Sequence, residues 1–431
     1  MRKKLLKNSL RKKLFRNLSW LLVDRIVRMI VGFFVLAWLA RYLGPAQFGS
    51  LNYATAFVML FSPIASLGLD NIVIRNIVRD PFRKEEILGT AFVMKGLGSL
   101  LSIGSIIVAV FVIRPQDTVS HYLVAITAMG TFFSAFDTIS LWFQSQIQSR
   151  YVVLARSTAF LTATLLKVAL IALNASLIAF AWTGFAETVL GSIFLVISYK
   201  RLGNSFKSWR SSVGTGWALV RDSFPLMVAG ILGLVYLRVD QIMLGTIMGD
   251  SEVGVYSVAV RLSEVWFFLP TAIISSALPA VVEAKASGET FFYERLQRLY
   301  NMMAVLGYAV AVPMTLASRW LIVHLFGPAY ERASVMMILL VWSTLFVNLG
   351  VARSSFLTSM NWTGVSLFQN LVGCIVNVGL NFLLIPRYAG VGAALASLIS
   401  YWFAAHGSCF LYKPMFRTGR MLSRALVWPS V

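Results

Sequence analysis

Charged residues are scarce in this sequence, and acidic ones are scarcest. Of 431 residues only 13% are charged, whereas soluble domains have about 25%. Hydrophobic residues make up 58%, and the mean hydropathy is +0.76. The two cysteines, Cys374 and Cys409, and the three histidines are too few and too scattered for a disulfide framework or a zinc site. These shortages exclude an ordinary soluble domain and predict a polytopic membrane protein.

Catalytic motifs are also missing. The sequence has no phosphate-binding loop, no GxSxG, no HExxH and no acidic metal-binding pair on a loop. Every predicted loop is short, and the longest covers residues 199–222. ATP-driven transport is therefore excluded, and a membrane glycosyltransferase, ligase or polymerase is disfavoured. We expect a protein that is not an enzyme and has no resident cofactor or metal.

Twelve apolar stretches are long enough to cross a bilayer as helices, which takes about 20 residues. Gly and Pro interrupt the pattern at most joints, as at Gly44-Pro45 and Gly327-Pro328. The sequence therefore predicts an all-α integral membrane protein. The predicted spans are 19–41, 47–69, 87–113, 119–145, 151–173, 175–198, 223–246, 252–279, 299–323, 332–356, 363–385 and 389–412.

The distribution of lysine and arginine predicts the orientation. Of the 38 basic residues, 25 lie in alternate joints and termini that share one side, and five lie in the joints of the opposite side. Cytoplasmic segments carry the excess of basic residues, so both termini are expected inside. The net charge of +21 follows from the same rule, and no nucleic-acid partner is expected.

A short internal repeat divides the chain into two halves. Segment 44–54, GPAQFGSLNYA, has the same glycine spacing as segment 249–259, GDSEVGVYSVA, at a constant offset of 205 residues. Two six-helix lobes of the same orientation imply a pseudo-two-fold axis along the membrane normal, with the substrate path in the cleft between them. The predicted parts are a basic N-terminal segment (1–18), an N-lobe (19–198), a basic linker (199–222), a C-lobe (223–412) and a basic tail (413–431).

The N-terminal segment carries leucines at every fourth position among lysines and arginines: Leu6, Leu10, Leu14 and Leu18. That spacing suits an amphipathic helix on anionic headgroups. A disordered basic tail that only sets the topology fits equally well.

Charged residues inside the predicted spans are the candidate functional residues. A charge at the middle of a span costs roughly 2.5–3.5 kcal/mol on insertion scales, and such residues usually face an interior or a water-filled cavity. The cations outnumber the acids, and arginine binds phosphate through two parallel hydrogen bonds, so an anionic substrate is expected. The cations are Arg25, Arg28, Lys95, Arg156, Lys167, Arg238, Arg261 and Arg353. The acids are Asp24, Asp137, Glu187, Asp240 and Glu264.

Sequence spacing suggests partners for some of these charges. Asp24–Arg28 and Arg261–Glu264 share helix faces, and structural pairing and substrate contact explain both pairs equally well. Arg353 lies near the inner boundary, where we expect its side chain to snorkel to the interface. Four further cations have no acid three or four positions away, and only an acid on another helix could pair with them: Arg25, Lys95, Arg156 and Lys167.

The acids are candidates for proton or sodium coupling. Glu187 lies in the middle of the sixth predicted span with no basic residue nearby in sequence, and Asp137 is a second protonatable site. Asp240 and Glu264 complete the set of coupling candidates. A protonated Glu187 bonded to neighbouring helices, with no role in transport, is an equally good interpretation.

Four segments resemble the polysaccharide-unit flippases of the MATE-like superfamily of multidrug, oligosaccharidyl-lipid and polysaccharide exporters. They are ARYLGPAQFGSLNYATAF (40–57), LGLDNIVIRNI (67–77), LRVDQIMLGTIMGDSEVGVYSVAVRLSEVW (237–266) and VNVGLNFLLIPRYAGVGAALAS (376–397). The resemblance implies a MATE-like fold in a bacterial or archaeal cytoplasmic membrane. It also implies the transfer of an undecaprenyl-pyrophosphate-linked oligosaccharide, such as an O-antigen unit for lipopolysaccharide, to the outer leaflet. Arg25, Arg28 and Arg261 match the family's cavity cations by position.

The expected partners are the lipid-linked substrate, membrane lipids and the polymerase and chain-length machinery, with the protein itself a monomer. A multidrug or cation antiporter of the same superfamily is the alternative, although cationic drugs would favour an acidic cavity. A flippase for lipid II or a teichoic-acid unit is close in mechanism, and the sequence hardly separates it. A purely structural scaffold is disfavoured by the intramembrane cations that lack local partners.

Overall fold

All regular secondary structure of the described residues is helical. The computed structural model describes the backbone of residues 2–429, without the side chains of 2–19, 21–23, 286 and 363. No β-strand occurs in this range, which confirms the all-α prediction. The α-helices are α1 (Arg2–Leu60), α2 (Ser62–Ser66), α3 (Asp70–Arg79), α4 (Lys84–Ile113), α5 (Thr118–Thr131), α6 (Asp137–Ser145), α7 (Ser149–Ala172), α8 (Leu177–Arg201), α9 (Val213–Ile247), α10 (Asp250–Glu264), α11 (Phe268–Ser287), α12 (Glu289–Phe326), α13 (Ala333–Ser359), α14 (Thr363–Ala405) and α15 (Phe416–Val427).

Short 3₁₀ helices connect several of these helices. Three of them lie inside predicted spans: Phe132–Phe136 between α5 and α6, Val265–Phe267 between α10 and α11, and Gly407–Phe410 after α14. The others are Pro81–Arg83, Phe206–Ser208, Pro328–Tyr330 and Lys413–Met415.

Ten helical stretches of the described chain are long and apolar enough to cross a membrane, so the multi-pass prediction is confirmed. The number differs from the predicted twelve because two stretches each cover two predicted spans. Both contain a backbone break: α1 at Gly44, with φ 69°, and α14 at Ala389, with φ 50°. Gly44 lies in a predicted joint between spans, and Ala389 is the first residue after one.

The internal repeat has a structural counterpart. Gly44 and Gly249 both have positive φ, with ψ of 171° and 172°, and each is followed by the first residue of a helical segment. The two segments then pack against each other reciprocally. A Cβ on Gly49 would lie 1.7 Å from the carbonyl oxygen of Asp250, and one on Gly254 would lie 2.0 Å from that of Pro45. Ser50 also donates to Asp250 at 2.5 Å.

The chain divides into two compact units. The first comprises Met1–Leu43 and Ala54–Ile231, and the second comprises Gly44–Tyr53 and Leu232–Val431. The segment 44–53 therefore packs with the second unit although it precedes most of the first in sequence. The boundary near Ile231 lies inside α9.

The core of the first unit lies between α3, α4, α6 and α8. Leu69, Val73 and Leu88 are fully buried in it, together with Tyr199 at the end of α8. The predicted linker 199–222 packs on this core, because Trp209 donates its indole hydrogen to the Tyr199 hydroxyl at 2.9 Å.

The core of the second unit joins α12, α13 and the C-terminal helix α15. Tyr300 and Met303 of α12, Leu349 of α13 and Leu422 of α15 are fully buried there. Thus α15 folds back onto the unit although it follows the predicted last span.

Candidate functional site

The first helix carries an ion pair where the sequence spacing predicts one. Nε of Arg28 donates to Oδ1 of Asp24 at 2.9 Å, which is the i, i+4 contact of a helix. Ser157 of α7 donates to the same carboxylate oxygen, and the Arg28 guanidinium lies 5.3 Å from the Phe160 ring centroid. These contacts hold Arg28 against α7 and reduce its freedom.

Arg25 is different from its neighbour. Its side chain is exposed, and within the described chain it makes no hydrogen bond or ion pair. The Nη2 atom of Arg28 is buried and also has no hydrogen-bond partner there. The LVDRIVRMIV stretch (22–31) therefore offers a complete, exposed guanidinium from Arg25, whereas Arg28 is paired with Asp24 and its remaining Nη2 atom is buried. Such groups bind phosphate oxygens through charge-assisted hydrogen bonds.

The other predicted cations of the first unit pair with acids on other helices. Lys95 lies 2.6 Å from Asp70, with exposed side-chain fractions of 2% and 56%. Arg156 lies 2.8 Å from Asp137 at the start of α6. These cations therefore pair with acids on neighbouring helices, which sequence spacing alone does not indicate.

Glu187 of α8 is not an unpaired carboxylate. Its Oε2 lies 3.7 Å from Nζ of Lys167 on α7, and both side chains are partly exposed. Sequence alone could not find this pair, because the two residues lie on different helices.

The second unit contains a bidentate ion pair that replaces a predicted one. Arg238 of α9 contacts both carboxylate oxygens of Glu264, at 2.9 and 3.0 Å. The spacing-based prediction joined Glu264 to Arg261 instead. Arg261 is exposed and makes no hydrogen bond or ion pair with the described residues. Like Arg25 in the first unit, it is a candidate cation without an ion-pair partner in the described part of the chain.

Asp240 lies in a buried polar network. Its side chain is 5% exposed and accepts hydrogen bonds from the hydroxyls of Tyr256 and Ser397, the latter at 3.3 Å. The backbone N–H of Gln241 donates to it at 2.7 Å. No lysine or arginine of the described chain forms an ion pair with this carboxyl group.

Two asparagines of α14 extend the polar network. Asn381 donates to Asn377 at 3.0 Å, and Asn377 donates to Ser400 at 3.1 Å, one helical turn from Ser397. The Oδ1 atom of Asn381 is buried without a hydrogen-bond partner among the described residues. Neither asparagine carries a charge, so the search for intramembrane charges does not indicate them. Two asparagines four positions apart in an apolar helix do, however, indicate a polar site inside the membrane.

The prediction that Arg353 snorkels is wrong. Its side chain is 4% exposed, and Nη1 donates to the carbonyls of Ala404 and Ala405 at 2.6 and 2.8 Å. Carbonyls at a helix C-terminus lack intrahelical partners and carry partial negative charge, so a buried guanidinium can satisfy them. Arg353 therefore stabilises the end of α14 and is removed from the candidate cations.

The described residues contain no group of three or more His, Cys, Asp or Glu side chains placed to hold a metal ion. Both cysteines are free and buried. The chemistry that these side chains offer is anion binding by arginine and a buried carboxyl group among hydroxyls and amides.

Curated relatives share part of this sequence. Over 171 residues, 38% of the chain, it is 28% identical to the "Probable flippase AglR" of Haloferax volcanii, of which the match covers 35%. It is 23% identical to the "Capsular polysaccharide biosynthesis protein CapF" of Staphylococcus aureus, over 45% of this chain and 49% of that one. The chain thus spans less than half the length of these two relatives.

Solved structures share the whole fold. The "Lipid II flippase MurJ, inward closed conformation" superposes with a TM-score of 0.72 at 13% identity, over 94% of this chain and 90% of that one. An inward-facing multidrug resistance MATE family transporter of the MOP superfamily gives 0.70 at 13% identity, over 96% and 100%. At these identities the likeness establishes the MATE-like and MurJ-like fold alone.

Family models cover most of the chain. The polysaccharide biosynthesis protein model matches residues 14–285, and the MatE model matches residues 225–383. The first match alone spans more than half of the sequence, and the two relatives above are named for flipping or for capsular polysaccharide. The chain therefore belongs to the polysaccharide biosynthesis protein family and is a multi-pass protein of the cell membrane.

Proposed function

We propose that this protein moves a polyprenyl-pyrophosphate-linked oligosaccharide from the inner to the outer leaflet of the cytoplasmic membrane for surface polysaccharide synthesis. The observation that carries the proposal is the exposed, unpaired guanidinium of Arg25 in a member of the polysaccharide biosynthesis protein family. A pyrophosphate offers several anionic oxygens, and the planar fork of arginine can bind two of them at once.

The same chemistry favours this substrate over a cationic drug. Among the seven candidate substrate-facing cations, one in each unit has no acidic partner within the described residues: Arg25 in the first unit and Arg261 in the second. Exposed unpaired arginines repel a cation and attract a phosphate. A lipid-linked sugar also needs a path for a polar head that cannot enter hydrocarbon and a tail that cannot leave it. Alternating access in a MATE-like fold supplies such a path.

The topology that we propose has twelve crossings in two six-helix lobes, with both termini in the cytoplasm. The breaks at Gly44 and Ala389 support it, because each divides a helical stretch that is much longer than the roughly 20 residues of one crossing. The proposed partners are the lipid-linked substrate, membrane lipids and the polymerase that takes up the translocated unit. The protein acts as a monomer.

The test uses purified protein in liposomes that contain a fluorescent polyprenyl-pyrophosphate oligosaccharide. A glycosidase added outside reports how much substrate reaches the outer leaflet over time. Protein-dependent conversion of the protected fraction supports the proposal. Export of cationic dyes without movement of the lipid-linked sugar would instead identify a multidrug antiporter.

We also propose that Asp240 carries the coupling proton or sodium ion. Its buried carboxyl group contacts hydroxyl and amide groups and forms no ion pair with a cation of the described residues. Because burying an unpaired carboxylate is costly, we expect this group to take up a proton or to bind a cation. Asp240→Asn should abolish translocation driven by an ion gradient, whereas downhill exchange of substrate continues. The matched variant Asp137→Asn, which removes an acid paired with Arg156, should keep the gradient-driven rate. Equal gradient dependence in Asp240→Asn and wild type would refute the assignment.

A further inference from the structure

The C-terminal helix α15 has two distinct faces. Thr418, Leu422 and Ala425 are fully buried against the second unit. The opposite face is exposed and carries Arg420 and Arg424. This sharp division means that the exposed face is available to a partner, while the buried face holds the helix in place.

The direction of α15 is defined by its contacts with α12. Arg417 pairs with Glu289, the first residue of α12, at 2.8 Å. Further along, Tyr308 in the apolar part of α12 donates to the carbonyl of Leu426 at 2.7 Å. The helix therefore begins beside the charged end of α12 and ends beside its apolar segment.

The exposed residues change along the same direction. Arg417, Arg420 and Arg424 follow one another at intervals of three and four residues, so they share one side of the helix. Immediately beyond them, Val427 and Trp428 are 82% and 72% exposed. A row of cations followed by an exposed tryptophan matches the order of headgroups and acyl chains at a membrane interface.

The helix α15 has no acidic residue of its own to neutralise its arginines. The sequence of α15 contains three arginines and no acid. Arg417 is paired with Glu289, whereas Arg420 and Arg424 form no ion pair with the described residues. Two exposed cations beside exposed apolar side chains would be poorly placed against another apolar surface, but they complement anionic headgroups.

We propose that α15 is an interfacial helix whose exposed face binds the headgroups of anionic phospholipids in the cytoplasmic leaflet. Arg420 and Arg424 contact the phosphates, and Val427 and Trp428 enter the acyl region beneath them. The binding anchors the C-terminal end of the second unit to the inner surface. The inference uses the inside orientation proposed above, but it does not depend on which substrate is moved.

The test compares full-length wild-type protein with Arg420→Gln/Arg424→Gln in nanodiscs of phosphatidylcholine with increasing phosphatidylglycerol. Retained phosphatidylglycerol is counted by native mass spectrometry. Each arginine near an anionic surface contributes about 1 kcal/mol, so the double variant should lose affinity for phosphatidylglycerol about 30-fold. The wild-type preference should weaken with salt.

The matched control is Arg319→Gln/Arg387→Gln, which removes two exposed arginines from joints predicted on the opposite side. Of these, Arg319 is paired with Glu331 at 2.7 Å. The control should lose less phosphatidylglycerol binding than Arg420→Gln/Arg424→Gln, because Glu331 already neutralises Arg319. Both double variants alter exposed side chains, and their thermal unfolding in pure phosphatidylcholine checks that they fold. The proposal is overturned if Arg420→Gln/Arg424→Gln retains wild-type phosphatidylglycerol binding, or if the control loses as much. Self-association through this face, seen as wild-type dimers that the variant lacks, would overturn it as well. The liposome flipping assay in pure phosphatidylcholine separates this failure from failure of the proposed transport activity.

Discussion

Replacing Gly49 or Gly254 with alanine is expected to be strongly destabilising, although each change adds a single methyl group. The new Cβ of Gly49→Ala would lie 1.7 Å from the carbonyl oxygen of Asp250, and that of Gly254→Ala 2.0 Å from the carbonyl oxygen of Pro45. Both obstacles are backbone atoms, so the clash cannot be relieved by a rotamer change. The two helical segments must separate, which also weakens the bond from Ser50 to Asp250.

We expect each variant to lose about 3 kcal/mol, at the upper end of the usual cost of overpacking. The measurement is the unfolding midpoint of the purified protein in detergent, together with the yield of monodisperse protein. The double variant should lose less than the sum of the two single losses, because one separation accommodates both methyl groups.

The matched control for the glycine variants is Gly104→Ala. Gly104 lies inside α4, and a Cβ there meets no atom within 4 Å. Alanine is better than glycine in a helix by roughly 0.5–1 kcal/mol, so this variant should be as stable as wild type or slightly more stable. If Gly49→Ala unfolds at the same midpoint as Gly104→Ala, the close packing of the two repeated segments is refuted.

The glycine contact also shows how far the sequence could predict the fold. The shared spacing of the two segments was readable, and so were the chain breaks at Gly44 and near Ala389, because Gly and Pro mark them locally. Which surfaces the two segments bury was not readable, because the contact joins residues about 200 positions apart. Local signals therefore predicted the helices and their joints, and tertiary packing decided their contacts.

The ion pairs also separate into those that sequence spacing predicts and those that only the packed structure shows. The Asp24–Arg28 pair was predictable because its members are four positions apart on one helix. The partners of Lys95 and Arg156 lie 25 and 19 positions away on other helices, so no helical period indicates them. Arg353 is satisfied by carbonyls at the end of α14, and only the packed structure brings that end within reach.

Ion pairs reduce the number of candidate cations that are free to bind a substrate. The sequence nominated seven substrate-facing cations, and five of them have a carboxylate partner within 4 Å. A paired cation can stabilise an anionic substrate only by sharing or giving up its partner. The unpaired ones, Arg25 and Arg261, are therefore the residues whose removal should affect transport more than stability.

Arg25→Gln is expected to slow translocation of the lipid-linked sugar at least tenfold without loss of folded protein. Hydrogen bonds to charged groups contribute about 1.5–3 kcal/mol, which corresponds to a factor of about 10 to 100. Because Arg25 has no hydrogen-bond or ion-pair partner among the described residues, its removal leaves no buried acid unpaired. The measurement is the initial flipping rate in the liposome assay at several substrate densities. Arg25→Glu, which places a negative charge beside the pyrophosphate, should reduce the rate to background.

Arg28→Gln is the matched comparison, and it should differ from Arg25→Gln by lowering the unfolding midpoint. That change leaves Asp24 without its ion-pair partner inside the membrane, so the unfolding midpoint should fall, and Asp24→Asn/Arg28→Gln should restore part of it. Arg25→Gln should leave the midpoint unchanged and lower only the flipping rate. If the Arg25 guanidinium only orients the first helix, Arg25→Gln protein inserted in the wild-type orientation will flip the lipid-linked sugar at the wild-type rate. That result would exclude Arg25 from the substrate site.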